Sequence, residues 1–199
     1  MAGHWNRRIF SPAWVTSRLT TAKEVAIEVP VDNPGLPVRF AFDNIHLSVA
    51  QGQLILTVDR PEDMLLEKCR EVAIKALAEL PHTPIMGVGV NYQFIAEQPD
   101  ESLLRVFHLP DNDCLSDAGI RIISTVIQRS LLIQDQMVNL YLSLTGNTVQ
   151  VTFNFHKDTP SSDDAIAFLK AHSTDLKEKA INLLSSIYNS AVETMTVTV

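Results

Sequence analysis

Cysteine is scarce: Cys69 and Cys114 are the only two in 199 residues. Their spacing fits neither a zinc site nor a disulfide framework, so a stapled secreted scaffold is not expected. Long apolar runs are missing as well. Nothing approaches the roughly 18 residues that span a bilayer. Arg7 and Arg8 are followed by no apolar stretch of the kind found in secretory signals. A reducing, cytoplasmic setting is therefore the expectation, with no membrane partner. Basic charge is also in deficit, at 16 Lys and Arg against 23 Asp and Glu, a net charge of −7. Residues 1–23 are the exception, with Arg7, Arg8, Arg18 and Lys23 and no acid. Nucleic-acid binding needs clustered cations. Four spread over this arm are thin for that, and Trp5, Phe10 and Trp14 beside them read as packing residues. Nucleic acid is not an expected partner.

Catalytic signatures are absent too. There is no G-x-S-x-G elbow, no H-E-x-x-H, and no metal-ligand spacing among the six histidines. No metal, cofactor or catalytic residue is assigned. Asp111–Gly119 invites a calcium reading, but an EF-hand loop counted from Asp111 puts Leu115, Ser116 and Ile122 at its fifth, sixth and twelfth positions, where an oxygen ligand, Gly and Glu belong. That stretch reads as a loop tip. His108 and Cys114 could face each other across it. Asp111, Asp113 and Asp117 would surround the thiol with negative charge, which opposes a reactive thiolate.

What is present is alternation. Ile45, Leu47 and Val49 share one face of a strand, a turn follows at Gln51-Gly52, and Leu54, Leu56 and Val58 alternate again. Asp59-Arg60-Pro61-Glu62 then reads as a helix start with Asp59 as N-cap. Leu65, Cys69, Val72, Ala73, Ala76, Leu77 and Leu80 form the apolar stripe, and Pro81 ends it. The second half repeats the plan. Val138, Leu140 and Leu142 alternate, Thr145-Gly146-Asn147 turns, and Val149, Val151, Phe153 and Phe155 alternate. Asp158-Thr159-Pro160 opens a helix whose stripe runs from Ile166 to Ile187, with a second N-cap available at Ser173-Thr174-Asp175. Upstream, a strand at Trp5–Phe10 with a helix to about Leu19 parallels a strand at Asn91–Phe94 with a helix from Pro99 to His108. Further strands are read at Glu24–Val29 and Gly119–Gln128.

The expected fold is α+β, a mostly antiparallel sheet with long helices packed on one face. It forms a single domain over 1–199 with two pseudo-repeat halves at about 1–81 and 82–199. This order of elements is similar to the saddle of TATA-binding-protein-like folds and also resembles helix-grip folds. Either resemblance concerns topology and carries no function.

The most distinctive run is Leu80–Phe94, LPHTPIMGVGVNYQF. As a strand it points Met86, Val88, Val90, Tyr92 and Phe94 to the core. Gly87, Gly89 and Asn91 lie on the other face. Two neighbouring glycines leave a groove for close approach of another group. A phosphate loop would need Lys and Ser/Thr after the second glycine, where Val90 and Asn91 stand. His82 and Thr83, between Pro81 and Pro84, sit in a rigid connector.

Two functional expectations follow. The first is a non-enzymatic protein-binding or assembly module, acting through a sheet face or the β-branched tail Val192–Val199, with another protein or a second copy of the chain as partner. The second is a small-ligand protein or enzyme with a pocket between the sheet and a long helix, lined by His82, Thr83, Gly87, Gly89, Asn91 and Tyr141.

Overall fold

The computed structural model describes residues 1–29, 37–50, 52–133, 136–171, 175–188 and 194–198. In chain order the elements are β1 (Ala2–Gly3), α1 (Pro12–Arg18), β2 (Ala26–Glu28), β3 (Arg39–Phe42), β4 (Ile45–Val49), β5 (Leu54–Val58), α2 (Asp63–Glu79) and β6 (Ile85–Ala96). There follow α3 (Glu101–Leu104), α4 (Asn112–Asp117), β7 (Ser124–Ile133), β8 (Gln136–Thr145), β9 (Thr148–Asp158), α5 (Ser162–Ala171), α6 (Asp175–Tyr188) and β10 (Thr194–Thr198). The fold is α+β with antiparallel strands. Gln51, the Ser173-Thr174 junction, and Val192, Glu193 and Val199 of the tail lie outside the described residues.

Two compact units emerge, each discontinuous in sequence. The first comprises Met1–Asn91, His156–Thr174 and Thr196–Val199. Its strands run β2–β3–β4–β5, antiparallel throughout, and Thr198 of β10 pairs with Thr57 of β5. The β3–β4 turn places Asp43 and Asn44 at φ 48° and 61°. Two consecutive left-handed residues match the right-handed twist of a two-residue hairpin, and Asp and Asn tolerate that region best after glycine. Ile45, Leu47, Leu54 and Leu56 are fully buried on one face, as their alternation requires. α2 packs against β5, α5 and α1. Its buried stripe is Leu65, Cys69, Val72, Ala73, Ala76 and Leu77.

The second unit comprises Tyr92–Phe155 and Asp175–Met195. β7 and β8 pair over their full length, from Ser124↔Thr145 to Ile133↔Gln136, and β9 follows through a tight turn at Gly146, φ 59°. Phe94 and Phe153 meet edge to face at 6.0 Å, and Tyr92 and Phe155 at 5.9 Å. These rings, with Val138, Leu140 and Leu142, form the unit's core.

Several local readings differ from the sequence expectation, each for an identifiable reason. Trp5–Phe10 is not a strand. The Asn6 side chain accepts from Arg8 N, and Asn6 O accepts from Ile9 N, which curls the segment. Trp5 and Phe10 are nevertheless buried. Asp59 does not cap α2. Its carboxylate is taken by His46, and the helix begins at Asp63 with Glu62 as N-cap. Asp111–Gly119 is a short helix, not a loop tip. Leu115 N donates to Asp111 O at its start, and at its end Gly119, φ 73°, closes a Schellman motif with Gly119 N→Ser116 O and Ile120 N→Leu115 O. Of the residues that suggested a loop, Asp111 is at the N-cap position and Gly119 just past the C-cap, while Ser116 lies inside the helix. Because Gly119 and Ile120 are consumed there, the next strand starts at Ser124 instead of Gly119. Met86 and Ile187, assigned to the core, are exposed.

Candidate functional site

The six residues singled out around the glycine run do not all belong to one unit. His82, Thr83, Gly87, Gly89 and Asn91 are in the first, and Tyr141 is in the second. His82 is exposed, and Thr83 N bonds back to Leu80 O at 3.0 Å. Asn91 Nδ2 donates to the Thr198 carbonyl at 3.4 Å, which ties β6 to β10. Gly87 has a clear steric role. A Cβ there would lie 2.9 Å from His156 Cε1 and 3.2 Å from Lys157 O. The bare Cα is what lets the imidazole lie against β6. His156 Nε2 is in turn 2.7 Å from Asp158 Oδ1.

A second histidine is clamped more tightly, which the sequence reading missed. His46 on β4 sets Nε2 2.7 Å from Asp59 Oδ1 and Nδ1 3.3 Å from Glu28 Oε2, and Glu28 also meets Arg39 at 3.0 Å. The register explains it. Glu28 stands opposite Arg39 and Ala41 opposite His46, so the outer faces of β2, β3 and β4 bring these charges side by side. The alternation that placed His46 outside the core was the available signal. Among the described residues no hydroxyl or thiol hydrogen-bonds to the His46 ring, so no nucleophile–base pair is built on it. Its ring hydrogen bond holds β4 to Asp59, the residue after β5, while Glu28 lies at ion-pair distance without a hydrogen bond to the ring.

The basic arm is divided. Arg18 reaches Glu79 at 3.5 Å, while Trp5 and Trp14 flank Phe10 edge-on at 6.3 and 5.0 Å. The two thiols differ sharply. Burial pushes the Cys69 thiol up to about 12, whereas Cys114 is exposed on α4. Native protein treated with iodoacetamide is expected to gain one label, at Cys114, and a second only after unfolding. Two labels at comparable rates on folded protein would show that α2 opens readily.

Among the described residues, clefts open to solvent include three. One of about 620 Å³ in the first unit is lined by Phe10, Phe40, Val49, Ile27, Arg7 and Arg8, among others. One of about 400 Å³ in the second unit lies where Phe107, Arg121, Ile122 and Ile123 meet Leu144. The third, about 200 Å³, sits between α6 and the sheet, against Val138, Phe155 and Leu183. It has the sheet–helix position anticipated for a ligand pocket, but it is smaller than the roughly 300–1,000 Å³ typical of ligand sites. None of the six glycine-run candidates lines any of these three clefts.

The most unusual surface is β7. It has ten residues, pairs with β8, and ends the strand order. No residue in it is buried; Val126 and Leu132 are 68% and 70% exposed, and Ile123 just before it is 75% exposed. Its outward residues form cross-strand pairs with β8, namely Val126 with Ser143, Gln128 with Tyr141, Ser130 with Asn139 and Leu132 with Met137. None is charged. Hydrogen bonds run across them, with Ser130 Oγ donating to Asn139 Oδ1 at 3.0 Å, Asn139 Nδ2 to Asn154 Oδ1 at 3.2 Å, and Gln128 Nε2 to Tyr141 OH at 3.4 Å. Compared with protein-family models, curated proteins and solved structures, the chain matches none.

Proposed function

We propose that the protein is a non-enzymatic protein-binding and assembly module that joins a second copy of itself along the open edge of β7. The observation that carries this reading is that edge. Alternate residues of this ten-residue strand turn backbone donors and acceptors to the open edge, and the strand carries one charge, Arg129, and no proline. Soluble proteins normally blunt such an edge with charge, proline or brevity. The first unit does so at β2, which is three residues long and carries Glu28. Of fourteen exposed large hydrophobic residues among those described, ten belong to the second unit; the others are Ile27, Val29, Met64 and Met86. An uncharged face with exposed Tyr, Met and aliphatic side chains has the composition of an interface centre.

Antiparallel pairing of two β7 strands about Gln128 keeps outward residues outward in both copies. It sets Arg129 opposite Ile127 of the partner strand, so the two guanidiniums avoid each other. The internal duplication belongs to the same reading, with one domain of two pseudo-repeat halves at about 1–81 and 82–199. Its support is that an Asp-x-Pro sequence precedes both α2 and α5, and that each Asp, Asp59 and Asp158, holds a strand histidine.

Light scattering across a concentration series tests the proposal. Wild-type protein is expected to dimerise as concentration rises. Val126→Lys combined with Leu132→Lys is expected to stay monomeric with an unchanged circular dichroism spectrum, because both side chains are exposed. Met64→Lys, exposed in the first unit, should dimerise like wild type. A wild-type monomer at every concentration, or an edge variant that still dimerises, overturns the assignment.

A further inference from the structure

We propose that the cleft of the first unit binds an amphipathic anion, a carboxylate carrying an aliphatic tail. The floor of the cleft is Phe10, Phe40 and Val49, all nearly fully buried, and Ile27 forms an apolar lip that is 52% exposed. Its volume, about 620 Å³, is within the range of small-molecule sites. Arg7 and Arg8 line the same cleft and are exposed.

The charges decide what kind of ligand fits. Within the first unit Arg18, Arg39, Arg60 and Arg70 each lie beside a glutamate, Glu79, Glu28, Glu62 and Glu67 respectively. Arg7 and Arg8 have no carboxylate partner among the described residues. Two uncommitted guanidiniums are thus held at the rim of an apolar trough, in a chain whose net charge is −7. A neutral hydrocarbon would leave the guanidiniums unused, and a small hydrophilic anion would leave the trough wet. A carboxylate with an alkyl chain satisfies both. Its head accepts from the guanidinium forks, which suit carboxylate geometry, and its tail leaves water to lie against Phe40 and Val49 while covering the exposed Ile27. Local backbone geometry places the head end, since the turn fixed by Asn6 sets Arg7 and Arg8 just before Ser11 and α1. This site is separate from β7 and does not depend on how the second unit assembles.

Titration calorimetry with hexanoate, octanoate and decanoate, all below their micelle concentrations, tests the proposal on the full chain. Saturable one-to-one binding is expected, tightening about fourfold per added methylene until the trough is full. Arg7→Gln with Arg8→Gln should weaken decanoate by at least about fivefold and leave binding of neutral decanol unchanged. Val49→Asp should weaken both. Arg18→Gln, whose arginine already lies beside Glu79, should change neither. Absence of saturable decanoate binding overturns the site. Equal decanoate affinity in wild type and the double arginine variant overturns the anionic head. Because Arg7 and Arg8 are exposed, their variant should melt like wild type, which separates lost binding from lost folding.

Discussion

Phe153→Ala is expected to destabilise the protein by about 3–5 kcal/mol, lowering its melting temperature by roughly 6–20 °C for a chain of this size. Phe153 has no exposed surface. Its ring meets Phe94 edge to face at 6.0 Å and 75°, an arrangement worth about 0.5–1.5 kcal/mol beyond the area it buries. Truncation removes that contact and leaves a void in the buried core of the second unit, whose β8 is tied to β7 by a ten-pair ladder and is poorly placed to collapse inward. Denaturant unfolding of the variant against wild type gives the number. Tyr141→Phe is the control. Its ring is on the outer face, where it loses only a 3.4 Å contact with Gln128, and a shift under about 0.5 kcal/mol is expected. A Phe153 variant as stable as wild type would mean that the second unit's core is not packed around these aromatic pairs.

Gly3→Ala is expected to cost about 1–3 kcal/mol, a large effect for one methyl group near a terminus. A Cβ at this position would sit 2.8 Å from Pro84 O, 3.2 Å from Ile85 Cδ1 and 3.3 Å from Trp5 Nε1. The nearest atom belongs to the backbone, so it cannot swing aside. The same carbonyl accepts from His4 N at 2.9 Å, and Gly3 N donates to Gly52 O at 3.0 Å. The added methyl therefore pushes against a carbonyl already fixed by a hydrogen bond. Two other glycines calibrate the effect. At Gly87 the nearest atom is the tip of the His156 ring, which can turn, although Lys157 O at 3.2 Å still resists. Gly87→Ala should cost less than Gly3→Ala. At Gly52 nothing lies within 4 Å of the new methyl, and the change should be close to neutral. Melting curves of the three variants give the order. Gly52→Ala proving the most harmful would contradict the packing described.

Strands with one buried face were the legible part of the sequence. β4, β5, β8 and β9 alternate because each has a dry and a wet side, and the buried residues are those the alternation names. α2 and α5 were legible from their apolar spacing. β7 was misplaced because none of its residues is buried, so burial left no period to read. Its register is set by β8 alone. The α4 helix was hidden because six residues carry too little periodicity, and its ends use Asp111 and Gly119, residue types that also make turns. β3 went unread for a different reason. Arg-Phe-Ala-Phe is too short to display a repeat without its partners. The surface features were harder still. Arg7 and Arg8 were visible as a basic pair, but among the described residues of the first unit what sets them apart is that no glutamate lies beside them, while Arg18, Arg39, Arg60 and Arg70 each have one. That depends on which chain segments meet. The glycine run was distinctive in the sequence, and Gly87 within it makes room for a histidine contributed by β9.

Placement of Thr198 beside Thr57 has a consequence for biosynthesis. On a ribosome, β4 and β5 emerge early and can zip up at once, and Met1 already bonds to Leu54 at one end of the far side of β5. The Thr57 end of that flank waits for a strand that lies more than a hundred residues further along. Until residues 194–198 emerge it stays open to whatever extended peptide drifts by, and nascent chains stalled before residue 194 are the species that holdase chaperones should retain.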